Sequence, residues 1–334
     1  MGCWATLSNI IKRKLTLFNN YICRTVDMSP KISATANEHK PVNNLAFRMT
    51  PMFFVWLWST GFIGAKYGLP YAEPFMLLFY RMIITLVCLG LMAYWFKPKW
   101  PRLHSVFHMA ISGLLIHGFY LGGVFYAIDG DMPAGLVSLI VGLQPLVTAM
   151  AAIIVLKEKI VTCQWFGLLL GLVGVGLVLF EKLGGIGQLP AFSLLTLAWA
   201  FAALIGISLG TVYQKRFGDA IELIPGTFIQ YCAAAIFFGL GTLLFESQKV
   251  EWNSQLVLAM GWLVLGLSIG AILLLMQLIN RGAASEVASL FYLVPPVTAF
   301  EAYILFDERF DLLAMCGGLM SVLGVALFLM TKRS

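Results

Sequence analysis

The stretch PLVTAMAAIIVLKEKI (145–160) returns 150 positions later as PPVTAFEAYILFDERF (295–310). Pro145/Pro295, Val147/Val297, Thr148/Thr298, Ala149/Ala299, Ala152/Ala302, Ile154/Ile304 and Glu158/Glu308 coincide, and Lys159 keeps its charge as Arg309. The offset continues without a gap through Gly167/Gly317, Leu169/Leu319 and Gly174/Gly324, and upstream it sets Lys66 opposite Arg216. A register held over that span marks a duplicated half, and duplication decides the architecture before any single element does.

Composition identifies the solvent. Hydrophobic residues make up 60% of the 334-residue chain and charged ones 11%, with a mean hydropathy of +0.87. Soluble domains carry about 25% charged residues, so this chain has too little polar surface for a water-facing globule. Ten apolar runs lie at roughly 50–69, 74–96, 105–128, 132–156, 162–180, 192–214, 225–245, 256–279, 283–306 and 311–330, each suited to a helix of ~20 residues crossing a ~30 Å hydrocarbon layer. Pro70 and Pro74, Pro98 and Pro101, Asp129-Gly130-Asp131, Gly184-Gly185 and Asn280-Arg281-Gly282 punctuate them. The expected fold is an all-α integral membrane protein, with ten transmembrane helices in two inverted five-helix repeats around a central cavity. The repeats are expected at 49–181 and 191–331. Residues 1–48 are expected to form a cytoplasmic tail, either disordered or a basic helix on anionic lipid, with Met28 as an alternative start.

The inversion is read from charge. With the N-terminus inside, seventeen Lys and Arg fall in cytoplasmic loops and tails, while the opposite loops hold Lys182, Lys249 and Arg309 beside acids such as Glu73, Asp129, Asp131, Glu246 and Asp307. The positive-inside rule then places both termini in the cytoplasm, and the expected location is the cell membrane, most simply a bacterial inner membrane. Five crossings per half turn the second half upside down, so equivalent loops should differ in charge. Lys157-Glu158-Lys159 is net positive, whereas Asp307-Glu308-Arg309 with Asp311 is net negative. Inverted repeats that meet at a midplane site are how many secondary transporters present one site to either side.

Other classes find little support. The net charge of +6 is spread over loops rather than gathered on one face, which excludes nucleic acid as a partner. Six cysteines lack metal-type spacing, no HExxH or phosphate loop occurs, and no cofactor or metal is expected. The chain does not read as an enzyme.

The residues resemble the drug/metabolite transporter superfamily, specifically EamA-type transporters built from two EamA units. Trp58-Ser59-Thr60-x-Phe62-x-x-x-Lys66, then Pro74 and Arg81, is similar to the family's opening motif. Small-residue runs before Pro145 and Pro295, Glu158 and Glu308 after them, and Gly167, Gly174, Gly317 and Gly324 carry the rest over about 50–330. The resemblance implies export of amino acids or similar small metabolites by alternating access. Alternatives left open are an exchanger or importer of a phosphorylated or nucleotide-linked metabolite, and a multi-pass assembly protein without catalysis. The expected partners are a small organic solute, the lipid bilayer and protons as a candidate coupling ion, with the chain a monomer or homodimer.

Ionisable groups within apolar runs cost a few kcal/mol on insertion scales and so are functional candidates. Arg81 could hold a substrate carboxylate with its planar fork, and Glu301 or His117 could take up and release a proton. A static Arg81–Glu301 ion pair is the plainer reading of the first two. Lys66, near a helix end, can instead reach the headgroups. Trp58, Tyr80, Tyr292 and Gln144 are further candidates for the substrate path. Pro145, Pro295 and Pro296 should bend their helices. Glu158 and Glu308 are expected to cap or pair locally, with Lys159 and Arg309.

Overall fold

The computed structural model describes residues 45–148, 150, 162–182, 192–217, 221–271, 274 and 291–331. Residues 1–44, Lys157, Glu158, Lys159, Arg281, the linker at 183–191 and the side chain of Tyr292 therefore lie outside the described residues. Contacts divide the chain into units of 1–48 and 49–334, and of the first only 45–48 are described, as the start of α1.

Every regular element among the described residues is a helix, apart from one isolated bridge between Ala72 and Val250. We label the helices α1 (Leu45–Gly68), α2 (Pro74–Phe96), α3 (Leu103–Asp129), α4 (Ala134–Thr148), α5 (Thr162–Lys182), α6 (Leu194–Phe217), α7 (Leu223–Phe245), α8 (Ser254–Ala271), α9 (Val294–Phe306) and α10 (Leu312–Thr331). Among the described residues five are long and apolar enough to cross a membrane: α2, α3, residues Leu194–Gln214 of α6, α7 and α8. Large apolar side chains such as Tyr94, Leu103, Leu244 and Phe245 stand exposed, as they do where lipid is the solvent. Trp95, Trp100, Trp165 and Trp252 are also exposed.

Local chemistry explains the ends. Pro74 occupies the first turn of α2, where its missing N–H costs nothing. Lys97 and Asp307 close α2 and α9 in the left-handed conformation (φ 46° and 54°). Asn253 caps α8 by accepting the Leu256 N–H at 2.8 Å.

The prolines expected to bend their helices stand at irregular positions. α4 is interrupted by a turn at Gly142 and Leu143, three residues ahead of Pro145. Pro295 and Pro296 stand in the first turn of α9, after a 3-10 turn at Phe291–Leu293. In α4 the interruption falls where Pro145 withholds its N–H from the carbonyl four residues back, and Pro295 and Pro296 stand where their missing N–H groups cost least.

Helices related by the 150-residue offset pack against each other, and the described contacts run antiparallel. Glu73, just before α2, accepts N–H bonds from Ser247 and Gln248, just after α7, at 3.1 and 3.0 Å. At the other end Glu222, before α7, accepts the Lys99 N–H, past the end of α2, at 3.2 Å. α5 and α10 cross through glycine: a Cβ on Gly317 would stand 2.6 Å from the Gly174 carbonyl, and one on Gly324 the same distance from the Gly167 carbonyl. Under the 150-residue offset these two contacts exchange places. α4 and α9 also run antiparallel, since Glu308 beyond the end of α9 accepts from Ala134 and Gly135 at the start of α4.

Candidate functional site

Two short π-helical segments, Leu114–Phe119 in α3 and Trp262–Ala271 in α8, fall at equivalent places in the two halves. Such segments widen a helix and recur at functional sites. Each aims a residue at the helix beside it. Ser268 of α8 accepts from Nε of Arg81 on α2 at 3.2 Å. His117 of α3 packs its ring on Tyr231 of α7, with centroids 4.5 Å apart. Arg81 and Tyr231 are themselves equivalent under the offset. One half thus offers a guanidinium where the other offers a phenol.

Arg81 is 6% exposed and Tyr231 1%. Tyr120 and Tyr231 lie within electrostatic reach of Arg81, and His117 lies within reach of Arg81 and Gln230. Gln230 donates to Ser112 at 3.4 Å, and Ser112 in turn to Gln214 at 3.3 Å. An arginine buried among apolar side chains must be hydrogen-bonded or met by a ligand, because desolvating its charge is expensive. Ser268 supplies one neutral partner, and among the described residues no carboxylate pairs with the charge.

Glu301 lies elsewhere. It is 8% exposed, two turns into α9, and its Oε1 is 2.8 Å from Oγ of Ser59 on α1. Its Oε2 is buried and unpartnered, as is the hydroxyl of Thr298 one turn earlier. Thr148, the equivalent of Thr298, also has an unpartnered buried hydroxyl. Arg81 and Glu301 are not in salt-bridge contact: Arg81 turns to α8 and Glu301 to α1. The ion pair that would merely pin two helices is absent.

The remaining candidates divide between scaffold and rim. Trp58 stacks edge-on against Phe291 and tilts against Phe54, with centroids at 5.2 and 5.5 Å. Tyr80 packs on Trp252 at 5.2 Å, ahead of α8. Gln144 donates to Thr211 at 3.2 Å and so ties α4 to α6. Lys66 pairs with Glu308 at 2.5 Å and lies over the Phe306 ring at 4.5 Å. It is therefore engaged by protein rather than only reaching for headgroups. Glu308 is engaged by Lys66 and by the start of α4, while Arg309 pairs with Asp307 at 3.0 and 3.2 Å, a bond that holds its guanidinium above its ordinary pKa.

Sequence reasoning missed Ser59 and Ser268, since small hydroxyls in apolar helices are common and usually bond their own backbone. It also missed Glu246, which accepts from the Phe75 and Met76 N–H groups at 2.7 and 2.8 Å and from the Tyr126 hydroxyl at 2.8 Å. Among the described residues no group of three or more His, Cys, Asp and Glu side chains could hold a metal ion.

Comparison with known proteins adds a family. The EamA-like transporter family matches residues 49–180 and 194–330. The uncharacterized transporter YvbV of Bacillus subtilis (strain 168) is 26% identical over 296 residues, covering 82% of this chain and 88% of that protein. A probable amino-acid metabolite efflux pump of Escherichia coli (strain K12) is 26% identical over 291 residues, covering 82% and 91%. The inner membrane transporter YedA of the same strain is 25% identical and covers 73% and 77%. A solved crystal structure at 22% identity shares the fold, with a TM-score of 0.59 over 85% of this chain and 96% of the other.

Proposed function

The chain belongs to the EamA-like transporter family, and from that membership we propose a secondary active exporter of amino acids or similar small metabolites that works by alternating access. It is a membrane transporter rather than an enzyme. The finer reading is of ten transmembrane helices in two inverted halves, 49–181 and 191–331, with both termini cytoplasmic in a bacterial inner membrane and a solute path between the halves.

One observation carries this reading. Helices that are copies of one another run antiparallel in the fold, and the Gly167–Gly324 and Gly174–Gly317 contacts interchange under the repeat. Two units related in this way can rock about a shared centre and expose it to each side in turn. The interruption of α4 ahead of Pro145 supplies a discontinuous helix of the kind such motion uses.

Arg81 is the group proposed to hold the solute carboxylate, because its fork fits two oxygens and no carboxylate among the described residues pairs with it. With Lys66 engaged by Glu308, Arg81 is the one buried Lys or Arg among the described residues. A single buried cation suits a carboxylate better than a phosphate or a nucleotide sugar. The family relative named as an amino-acid metabolite efflux pump supports the same substrate class. The test is overexpression in a sensitive host across amino acids, their analogues and cationic drugs. Resistance to an amino acid or analogue that disappears with Arg81→Ala is the expected result; resistance that survives it removes Arg81 from the path.

A further inference from the structure

Ser59 has one hydroxyl proton and two acceptors. Its Oγ lies 2.7 Å from the Trp56 carbonyl and 2.8 Å from Oε1 of Glu301. Both are full-strength O–H···O distances, whereas a three-centre bond from a single proton would lengthen them. The count closes if Glu301 supplies the second proton: the carboxyl O–H donates to Ser59, and Ser59 donates to the Trp56 carbonyl.

The other carboxyl oxygen agrees. Oε2 is buried without a partner. For an ionised carboxylate that is a heavy penalty, while for the carbonyl oxygen of a neutral acid it is a modest one. Among the described residues no cation is seen to pair with it. α1 presents Ser59 and, about two turns on, Lys66, which Glu308 occupies. α4 presents Ser138, which donates to the Gly135 carbonyl at 2.8 Å. α9 itself adds Thr298, α10 contains no Asp, Glu, Lys, Arg or His, and Arg81 is turned to Ser268. His117, the rival proton carrier, has its ring packed on Tyr231.

We infer that Glu301 holds a proton in this structure and that Ser59 is the switch that answers its departure, which makes the pair the proton-coupling site of the transporter. The inference rests on the transport reading above. In the step itself one proton leaves Glu301 Oε1 for water on whichever side is open. The Ser59 hydrogen then swings from the Trp56 carbonyl to Oε1, so the new carboxylate keeps one hydrogen bond. Reprotonation reverses both movements. Ser59 is a positioning residue here, and the proton resides on Glu301.

Infrared difference spectroscopy between neutral and alkaline buffer, on the full chain in lipid vesicles, tests this without knowledge of the solute. The expected result is a protonated-carboxyl C=O band at neutral pH that is lost in Glu301→Gln. The band shifts to higher frequency in Ser59→Ala, returns to place in Ser59→Thr, and is unmoved in His117→Asn. Absence of any Glu301-dependent acid band at neutral pH, or a band that Ser59→Ala leaves in place, overturns the inference. The resistance screen is read separately. Resistance without the band sinks the proton site and spares the transporter, and the band without resistance does the reverse.

Discussion

Glu308 accepts from three donors in the first half, and its removal has a size that can be worked out. It takes Lys66 Nζ at 2.5 Å and the N–H groups of Ala134 and Gly135 at 3.0 and 3.3 Å. Its side chain is 8% exposed and that of Lys66 32%. Glu308→Ala removes a helix cap worth about 1 kcal/mol and strands two buried N–H groups from a charged acceptor, about another 1 kcal/mol beyond the cap. It also unpairs Lys66, whose partial exposure limits that share to about 1 kcal/mol. The sum, about 3 kcal/mol, lowers the folded-to-unfolded ratio by roughly two orders of magnitude. Glu308→Gln keeps one acceptor and should lose about half as much. A double-mutant cycle with Lys66→Met, read by denaturant titration in detergent micelles, should give a coupling energy of about 1 kcal/mol. If Glu308→Gln costs the same in the Lys66→Met background as alone, the two do not interact and the reasoning fails.

Three further outcomes follow from the same geometry. Gly317→Val places bulk against the Gly174 carbonyl and should lower the melting temperature and yield, with a loss of about 2 kcal/mol or more, whereas Gly318→Ala, with nothing within 4 Å, should be silent; equal melting temperatures would disprove the close α5–α10 crossing. Glu73→Cys with Ser247→Cys should be joined by a short bifunctional thiol reagent, since Ser247 Oγ lies 3.1 Å from the Glu73 carboxylate and the reagent makes up the length lost on shortening Glu73, and the locked protein should lose export, a result read by gel shift and by the resistance assay. Arg81→Lys keeps the charge but not the fork, so it should leave membrane insertion intact and cut export about tenfold or more; full activity in Arg81→Lys would argue against two-point carboxylate binding.

Much of the architecture was legible because it is written in periodicity and length. The 150-residue offset, the apolar runs and Pro74 at a helix start need no tertiary knowledge. The interruption of α4 was half legible: Pro145 was visible, but the turn falls at Gly142, three residues earlier. The site was less so. A helix that is apolar all round gives no signal for which face meets a neighbour, so Arg81 could not be matched to Ser268 or Glu301 to Ser59. Those partners lie 187 and 242 residues apart in sequence, and rotation of a few tens of degrees about either helix would exchange them. Glu308 and Glu246 read as loop charges because the helix ends they cap belong to the other half.

The capping pattern also fixes an order of events during synthesis. α2 and α4 emerge from the ribosome first, yet the acceptors for their leading N–H groups, Glu246 and Glu308, are encoded 170 to 174 residues later. Until the second half is translated, the newborn first half carries unsatisfied donors and bare glycine grooves at its helix faces. A nascent chain in that condition depends on whatever insertion machinery shelters it. Expressing the gene as two separate fragments should therefore give each piece a short cellular lifetime, and co-expression should extend both.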